Sequence, residues 1–340
     1  MAFIFIDSFD HYDAPTLKWS VNIQATIDLS GLQSRTGIGA IQCSPFGPEL
    51  NIVPRPAAVA GIAYRASGFP INDVMGFISG TGAGRVRQVR IIVNGDGSVS
   101  VWTKNGPFQI VLGTSAPNLV TQDNYAYIEC KISEFSASGT VTVRVDGLVV
   151  LTVTGDTNPH GTGTYQTWYI EGPGGGFGAN IDDVYLCDLI DSGIPGQPNN
   201  DFLGAIRNFA EVPIGDATPL QWTPNAGLTH YTQVDEIPPD DGTTYVSSAT
   251  VGNVDQYVYG TTGIVPPVQI FGVQVCLDAA IDIAGSRSIA PSVGGVVGTA
   301  APLSTGYNMV RQVYDGNPVN SAAWQLTDFA TVRFGAAVTS

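Results

Sequence analysis

Alternation of apolar and polar residues recurs along the chain and predicts strands. In residues 85–102 two alternating segments flank the sequence Asn-Gly-Asp-Gly at 94–97, which supplies the positive-φ residues that tight hairpin turns require. Residues 125–153 contain three such segments, joined by Ser-Ala-Ser-Gly and by Asp146-Gly147. The pattern therefore predicts antiparallel hairpins rather than helices.

The stretch from Gly161 to Ser192 closes this run of strands. Residues 166–171 are aromatic and β-branched, a Gly-rich turn follows, and residues 181–189 alternate with apolar groups on both faces, which is typical of an interior strand. The following Ser-Gly-Ile-Pro-Gly-Gln-Pro-Asn-Asn has no periodicity and has the composition of a linker.

These boundaries predict two domains, as does the length of 340 residues. The first spans 1–192, the linker spans 193–200, and the second spans 201–340 as a β-sandwich with a long loop at 211–243. The second domain is predicted to begin with a strand at 201–209. The four prolines in residues 43–56 predict a surface loop there.

Several short phrases carry a resemblance to known proteins. The order DSFD, hairpin, YIECKI, VTVRVDG, Gly-rich turn and IDDVYLCD resembles the concanavalin A-like (laminin-G-like) jelly roll. The phrases DSFDHY, IDDVYLCD followed by FLGAIR, and a late AAW…FG resemble a group of tailed-bacteriophage virion proteins. The resemblance implies an all-β chain, with an N-terminal concanavalin A-like jelly-roll sandwich followed by a smaller C-terminal β-sandwich.

The same resemblance implies a non-enzymatic structural role in the virion. The expected job is capsid decoration (cement) or a tail-tip or fibre component that acts through protein–protein packing. The expected partners are further copies of the chain, as a homotrimer by analogy, and other virion proteins. The alternative from a different class is a lectin-like carbohydrate-binding module for host-surface glycans.

Charge and composition limit the binding partners and the cellular location that we expect for this chain. Charged residues make up 13% of the chain, the net charge is −15, and no basic run is present, so binding to nucleic acid or to an anionic membrane is not expected. No apolar window approaches the roughly 18 residues of a membrane span. The start lacks a positively charged segment, so we expect synthesis in the host cytoplasm without a signal peptide and a final place in the virion.

Aspartates near the end of the first domain form the candidate metal site. Asp182, Asp183 and Asp188 are candidate calcium ligands, because calcium takes hard oxygen ligands. Adjacent residues of a strand point to opposite faces, which argues against Asp182 and Asp183 sharing one ion. Solvated or turn-capping aspartates are the alternative, and no other cofactor is expected.

Aromatic residues supply the candidate glycan contacts. Trp19, Trp102, Trp168 and Trp222 are candidate platforms, and we select Trp168 with Tyr169 as contacts. The lectin hypothesis requires an exposed aromatic beside the loops at 161–191, with amides around it. A glycosidase would need two carboxyl groups across one cleft, and no glutamate pattern places them so; the chain is therefore not expected to be an enzyme.

Overall fold

The chain folds into two compact units. A computed structural model describes all residues except 1, 23, 45, 69–71, 81, 106–107, 174–177, 228 and 283–284, and all their side chains except those of residues 22, 83 and 105. The N-terminal unit comprises Ala2–Asp191 and Asn199–Asn208. The C-terminal unit comprises Ser192–Pro198 and Phe209–Ser340. The predicted linker therefore contributes residues to both units.

The N-terminal unit is built from strands and two short 3₁₀ helices. The helices are Pro15–Leu17 and Gly82–Gly84. The strands are β1 (Phe3–Asp7), β2 (Val21–Asn22), β3 (Thr26–Asp28), β4 (Ala40–Cys43), β5 (Phe46–Arg55), β6 (Ala58–Ala66), β7 (Asn72–Ser79), β8 (Val86–Val93), β9 (Val99–Asn105), β10 (Phe108–Thr114), β11 (Ala126–Ile132), β12 (Gly139–Val145), β13 (Leu148–Gly155), β14 (Tyr165–Glu171) and β15 (Ala179–Cys187).

These strands form two antiparallel sheets around one core. The eight-stranded sheet has the order β13-β12-β11-β6-β15-β4-β3, with β1 also paired to β15. The seven-stranded sheet has the order β10-β9-β8-β7-β14-β5-β2. Between the sheets, Phe5 of β1 packs edge-on against Trp168 of β14, and Trp19 contacts both rings. Burial of these aromatic rings contributes strongly to the stability of the sandwich.

The C-terminal unit is a smaller all-β assembly. Its 3₁₀ helices are Tyr231–Gln233 and Leu326–Ala330. Its strands are β16 (Pro213–Leu220), β17 (Thr223–Pro224), β18 (Val246–Ser247), β19 (Val254–Tyr259), β20 (Val273–Ala279), β21 (Ser288–Val293), β22 (Val296–Val297), β23 (Ala301–Pro302), β24 (Asn308–Tyr314) and β25 (Phe334–Val338).

A six-stranded sheet of order β16-β19-β25-β21-β22, with β23 paired to β21, dominates this unit. Two-stranded sheets β17-β18 and β20-β24 complete it. Its core contains Val275, Val293, Tyr314, Trp324, Val332 and Phe334. Trp324 and Phe334 lie with ring centroids 5.9 Å apart. The long loop predicted at 211–243 holds β16 and β17.

The predicted fold class is confirmed: the chain is all-β, with an N-terminal jelly-roll sandwich and a smaller C-terminal β unit. Both predicted hairpin regions are confirmed as β8–β9 and as the meander β11–β12–β13. Asp146 and Gly147 have φ of 48° and 81°, as the tight turn between β12 and β13 requires. Among the described residues, no helix is long and apolar enough to cross a membrane.

Two local predictions are wrong. The proline-rich segment 43–56 contains the ten-residue strand β5, which tolerates proline because its outer neighbour β2 is short and its pairing with β14 is interrupted by bulges. Residues 201–209 do not form a strand; they have no regular secondary structure, and 201–208 belong to the N-terminal unit.

Candidate functional site

A cleft lies on the face of the seven-stranded sheet that is turned away from the core of the N-terminal unit. Strands β7, β8, β9, β10 and β14 supply its walls and floor. Its volume is about 280 Å³, and it is lined by Asn72, Asp73, Arg87, Arg90, Ile92, Trp102, Gln109, Glu171 and Gly172. Six of these nine residues have polar or charged side chains, in contrast to the apolar residues on the core face of the same sheet.

Because successive side chains of a strand point to opposite faces of the sheet, β14 contributes residues both to the core and to the cleft side. Trp168 and Ile170 are buried in the core, so their neighbours Tyr169 and Glu171 lie on the opposite face. In β8, Arg87 and Arg90 would fall on opposite faces of a regular strand. A register shift in the pairing of β7 with β8, where Phe77 and Ile78 face Val89 and Arg87, brings both arginines to the cleft.

Asp73 is the centre of the charge network. Its carboxylate accepts hydrogen bonds from Nε of Arg90 at 2.8 Å and from Nη2 at 2.5 Å. Arg87 also donates to Asp73 through Nη1, and the Tyr169 hydroxyl donates to it at 3.1 Å. The Asp73 side chain is 4% exposed and that of Arg90 is 13% exposed, so this network is largely shielded from water. Charge-assisted hydrogen bonds of this kind hold side chains in fixed positions.

Glu171 and Glu49 on this face are also paired with arginines. Arg87 donates to Glu171 through Nη2, and its Nη1 lies 3.3 Å from the second carboxylate oxygen. Further along the sheet, Arg85 donates to Glu49 at 2.6 Å. Burial raises the pKa of Glu171, and the positive charge of Arg87 opposes this rise. Three arginines therefore face three carboxylates.

Trp102 forms the aromatic wall of the cleft. It is paired with Arg90 across β8 and β9, and the guanidinium carbon of Arg90 lies 5.9 Å from the centre of the indole. The indole Nε1 is buried and has no hydrogen-bond partner among the described residues. Gln109 and Asn72 line the same cavity. The cleft thus combines a flat ring with planar polar groups.

Tyr169 forms part of the support beneath the cleft. The Arg87 guanidinium stacks over its ring at 4.6 Å, and burial raises the pKa of its hydroxyl well above the ordinary value. Gly76 of β7 packs closely against the Tyr169 side chain. A Cβ at that position would overlap the Tyr169 hydroxyl. The hydroxyl therefore remains a protonated donor to Asp73.

The predicted glycan contacts need correction. Trp168 is fully buried, and its ring packs against Trp19 with centroids 5.6 Å apart, so it presents no face to a ligand. Tyr169 is also buried, although it supports the cleft from below. Of the other candidate platforms, Trp102 lines the cleft, while Trp222 of the C-terminal unit donates its indole N–H to the carbonyl of Asn253 at 3.2 Å.

The candidate calcium ligands do not form one group. Asp182 accepts hydrogen bonds from the backbone N–H groups of Arg35 at 2.8 Å and Thr36 at 3.0 Å. Asp188 has different partners: Ile190 N donates to it, and Arg55 lies 3.5 Å away. Among the described residues, no three His, Cys, Asp or Glu side chains are grouped as a metal site.

Asp182 and Asp183 nevertheless lie side by side, contrary to the expectation from alternation. Asp183 has φ of 49°, and the pairing of β15 with β6 shifts between Asp182 and Tyr185. Asp183 binds Nη1 of Arg35 at 2.9 Å and the Thr36 hydroxyl at 2.9 Å. Burial and the neighbouring charge of Asp183 raise the pKa of Asp182. A calcium ion here would have to displace these protein donors.

This acidic pair also holds the segment 199–208. The backbone N–H of Asn208 donates to Asp183 at 2.7 Å, and its side-chain amide donates to the carbonyls of Asp7 at 2.7 Å and Val184 at 3.0 Å. Further along the segment, Gly204 N donates to the Glu129 carboxylate at 2.9 Å. The first function of this cluster is therefore structural.

Sequence reasoning missed most of the cleft. Asp73, Arg87, Arg90 and Glu171 form no linear motif, since they come from strands far apart in the chain. The available signal was the pair Arg87 and Arg90 inside a strand that is otherwise mostly Val and Ile, because charged residues rarely occur in buried β-strands unless they are paired.

Comparison with known proteins shows that the fold of this chain is similar to that of several solved structures. No family model matches the chain, and no curated protein matches it. Among solved structures, the endo-β-1,4-glucuronan lyase of the fungus Trichoderma reesei is 14% identical, with 54% of this chain and 95% of that chain covered and a TM-score of 0.41. The alginate lyase vAL-1 from Chlorella virus is 12% identical, with 55% and 99% covered and a TM-score of 0.39.

A third similar structure is a binding module. The CBM40 of the Ruminococcus gnavus IT-sialidase, bound to α2,3-sialyllactose, is 15% identical, with 43% of this chain and 88% of that chain covered and a TM-score of 0.33. These structures are polysaccharide lyases and a carbohydrate-binding module.

The main functional hypothesis, a non-enzymatic virion structural protein of the capsid or tail, is accordingly corrected, because the similar structures are of these two classes. A phage origin, a homotrimer and a place in the virion stay predictions. The expected absence of catalysis also stays a prediction.

Proposed function

We propose that the chain binds a carbohydrate in the cleft on the seven-stranded sheet. The observation that carries this proposal is Trp102, a partly buried indole that lines the same cavity as the fixed planar groups of Asp73, Arg90 and Glu171. A pyranose presents an apolar C–H face and a rim of hydroxyl groups. The indole matches the face, and carboxylate, guanidinium and amide groups match the hydroxyls, which both donate and accept.

The position of the cleft agrees with this function. Trp102 of β9 and Glu171 of β14 line the same cavity, with β8 and β7 between their strands, and the amide side chains of Asn72 and Gln109 line it too. A cavity of about 280 Å³ has room for part of an oligosaccharide, and its groups are already ordered before binding.

Replacement of Trp102 tests the proposal. Binding of a glycan array, followed by calorimetry on the best ligands, is expected to lose about tenfold or more in affinity in Trp102→Ala, because the ring contributes most of the apolar contact. Trp102→Phe keeps part of the ring and should fall in between. Leu148→Ala, at an exposed position on the other sheet, is the control. Unchanged affinity in a folded Trp102→Ala protein would refute this site.

A second candidate is acid–base chemistry on the bound glycan. Asp73 and Glu171 contact the same guanidinium, and burial raises the pKa of Glu171 to about 7. Near neutral pH the ionised form of Glu171, which pairs with Arg87, is therefore in exchange with a carboxylic acid able to donate a proton. We expect Glu171→Gln to bind glycan but to release no shorter products, as measured by chromatography of digests. Absence of products from the unmodified protein with every bound glycan would leave binding alone as the function.

A further inference from the structure

We infer that the carbohydrate bound by this cleft is uncharged rather than a uronate, a sialoside or a sulfated sugar. The inference rests on the proposed function and concerns the class of ligand. The feature that carries it is charge compensation: each of the three arginines on this face is already bound to a carboxylate of the protein.

The ion pairs leave little positive charge for an anionic ligand. Arg90 uses both Nε and Nη2 to bind Asp73, and Arg87 is shared between Asp73 and Glu171. A ligand carboxylate that approached either guanidinium would lie close to these carboxylates. It would have to displace one of them, and a displaced carboxylate would lose its charged partner while shielded from water.

Hydroxyl groups meet no such conflict. A sugar hydroxyl donates to a carboxylate oxygen and accepts from a guanidinium N–H, so it adds to an existing ion pair without displacing either partner. The alternating donors and acceptors of the cleft therefore match a neutral sugar.

The net charge of the chain acts in the same direction. The positive charge of Lys104, the next residue on the same side of β9 as Trp102, would attract an anion, but Lys104 does not line the cavity. The whole chain carries a net charge of −15, which repels a polyanion and lowers the rate at which it approaches. Neutral oligosaccharides experience no such repulsion.

Matched pairs of oligosaccharides provide the test. The pairs are cellohexaose with its glucuronate counterpart, mannohexaose with oligomannuronate, and galactohexaose with oligogalacturonate; within each pair the backbone differs only at C6. Calorimetry at about 50 mM and about 500 mM NaCl separates the electrostatic contribution to binding. We expect one neutral member to bind about tenfold tighter than its uronate, with affinity nearly independent of salt.

Two variants test the cause. Glu171→Gln leaves Arg87 with uncompensated charge and should shift the preference by about tenfold towards the uronate. Glu49→Gln removes a carboxylate that binds Arg85 outside the cavity, and it should shift the preference towards the uronate by less than Glu171→Gln does. Lys104→Ala should leave affinity for the neutral sugar unchanged.

The possible failures are distinguishable. A uronate that binds tighter than its neutral partner and loses affinity with salt would overturn the inference while the proposed function stands. Absence of binding to any glycan, neutral or charged, would overturn the proposed function and the inference with it.

Discussion

His11 is a buried titratable residue that the cleft does not use. Both ring nitrogens are buried without a hydrogen-bond partner among the described residues, and the ring lies edge-on to Tyr12 at 4.8 Å. Burial and the positive charge of Lys18 lower the pKa of His11 to about 3, against the opposing effect of Asp7. The imidazole is therefore neutral in the folded chain.

This lowered pKa predicts acid sensitivity. The unfolded chain takes up a proton at His11 near its ordinary pKa of 6.5, whereas the folded chain resists protonation down to about 3. Its contribution to stability is complete above the unfolded pKa and is lost as pH falls from there towards the folded pKa; at about pH 5 the loss is about 2 kcal/mol.

Urea unfolding at neutral and acid pH measures this effect. His11→Leu should lose less free energy of unfolding on acidification than the unmodified chain, by the same about 2 kcal/mol. Equal losses in both proteins would show that His11 is not responsible.

Single residues also mark the limit of prediction from sequence. Strict alternation separates Asp182 from Asp183, yet the left-handed backbone at Asp183 brings both carboxylates to Arg35 and Thr36. An aromatic in a strand pattern does not reveal its face, which is why Trp168 was selected although Trp102 lines the cleft. The bulge near Asp183 leaves no clear mark in the pattern, and the choice between the two faces of a strand depends on its neighbours in the sheet.

The strands that were predicted well are those joined by turns with a characteristic sequence. The hairpin β8–β9 and the meander β11–β13 follow from Asn-Gly and Asp-Gly turns. Strand β5 was missed because its prolines argue against a strand unless its position near the sheet edge is known. That position depends on pairing with β2 and β14, which are distant in sequence.

The segment 199–208 behaves as an element without regular secondary structure. Its attachment depends on hydrogen bonds to buried carboxylates and carbonyls, chiefly at Asn208 and Gly204. The sequence does not reveal these hydrogen bonds. It therefore predicted that residues 201–209 form the first strand of the second domain.

Asn208→Ala should loosen this segment. The change removes two side-chain donors and leaves the carbonyls of Asp7 and Val184 with fewer partners, so we expect a loss of about 1–2 kcal/mol and faster hydrogen exchange across 199–208. Asn200→Ala, within the same segment, is the control. Equal exchange in both variants would refute the role of the Asn208 amide.

At the scale of the whole molecule, composition predicted the class of fold but not the function. Abundant Gly and Pro with 13% charged residues is compatible with many β-proteins. The cleft is assembled from side chains between Asn72 and Gly172 on five strands, so it exists only once the sheet is formed. The phrases that resemble virion proteins lie elsewhere in the chain and carry no part of its lining.

The chain passes back and forth between the two units, which limits how the protein can be divided into separately folded fragments. The chain passes from the N-terminal unit to residues 192–198, returns for 199–208, and leaves again at 209. A single cut anywhere in this region therefore deprives at least one product of a piece of its own fold. A cut after 208, for example, removes Gln197, whose amide donates to the carbonyl of Ile270 at 2.8 Å. Two intact fragments cannot be obtained from one gene by splitting it at one point.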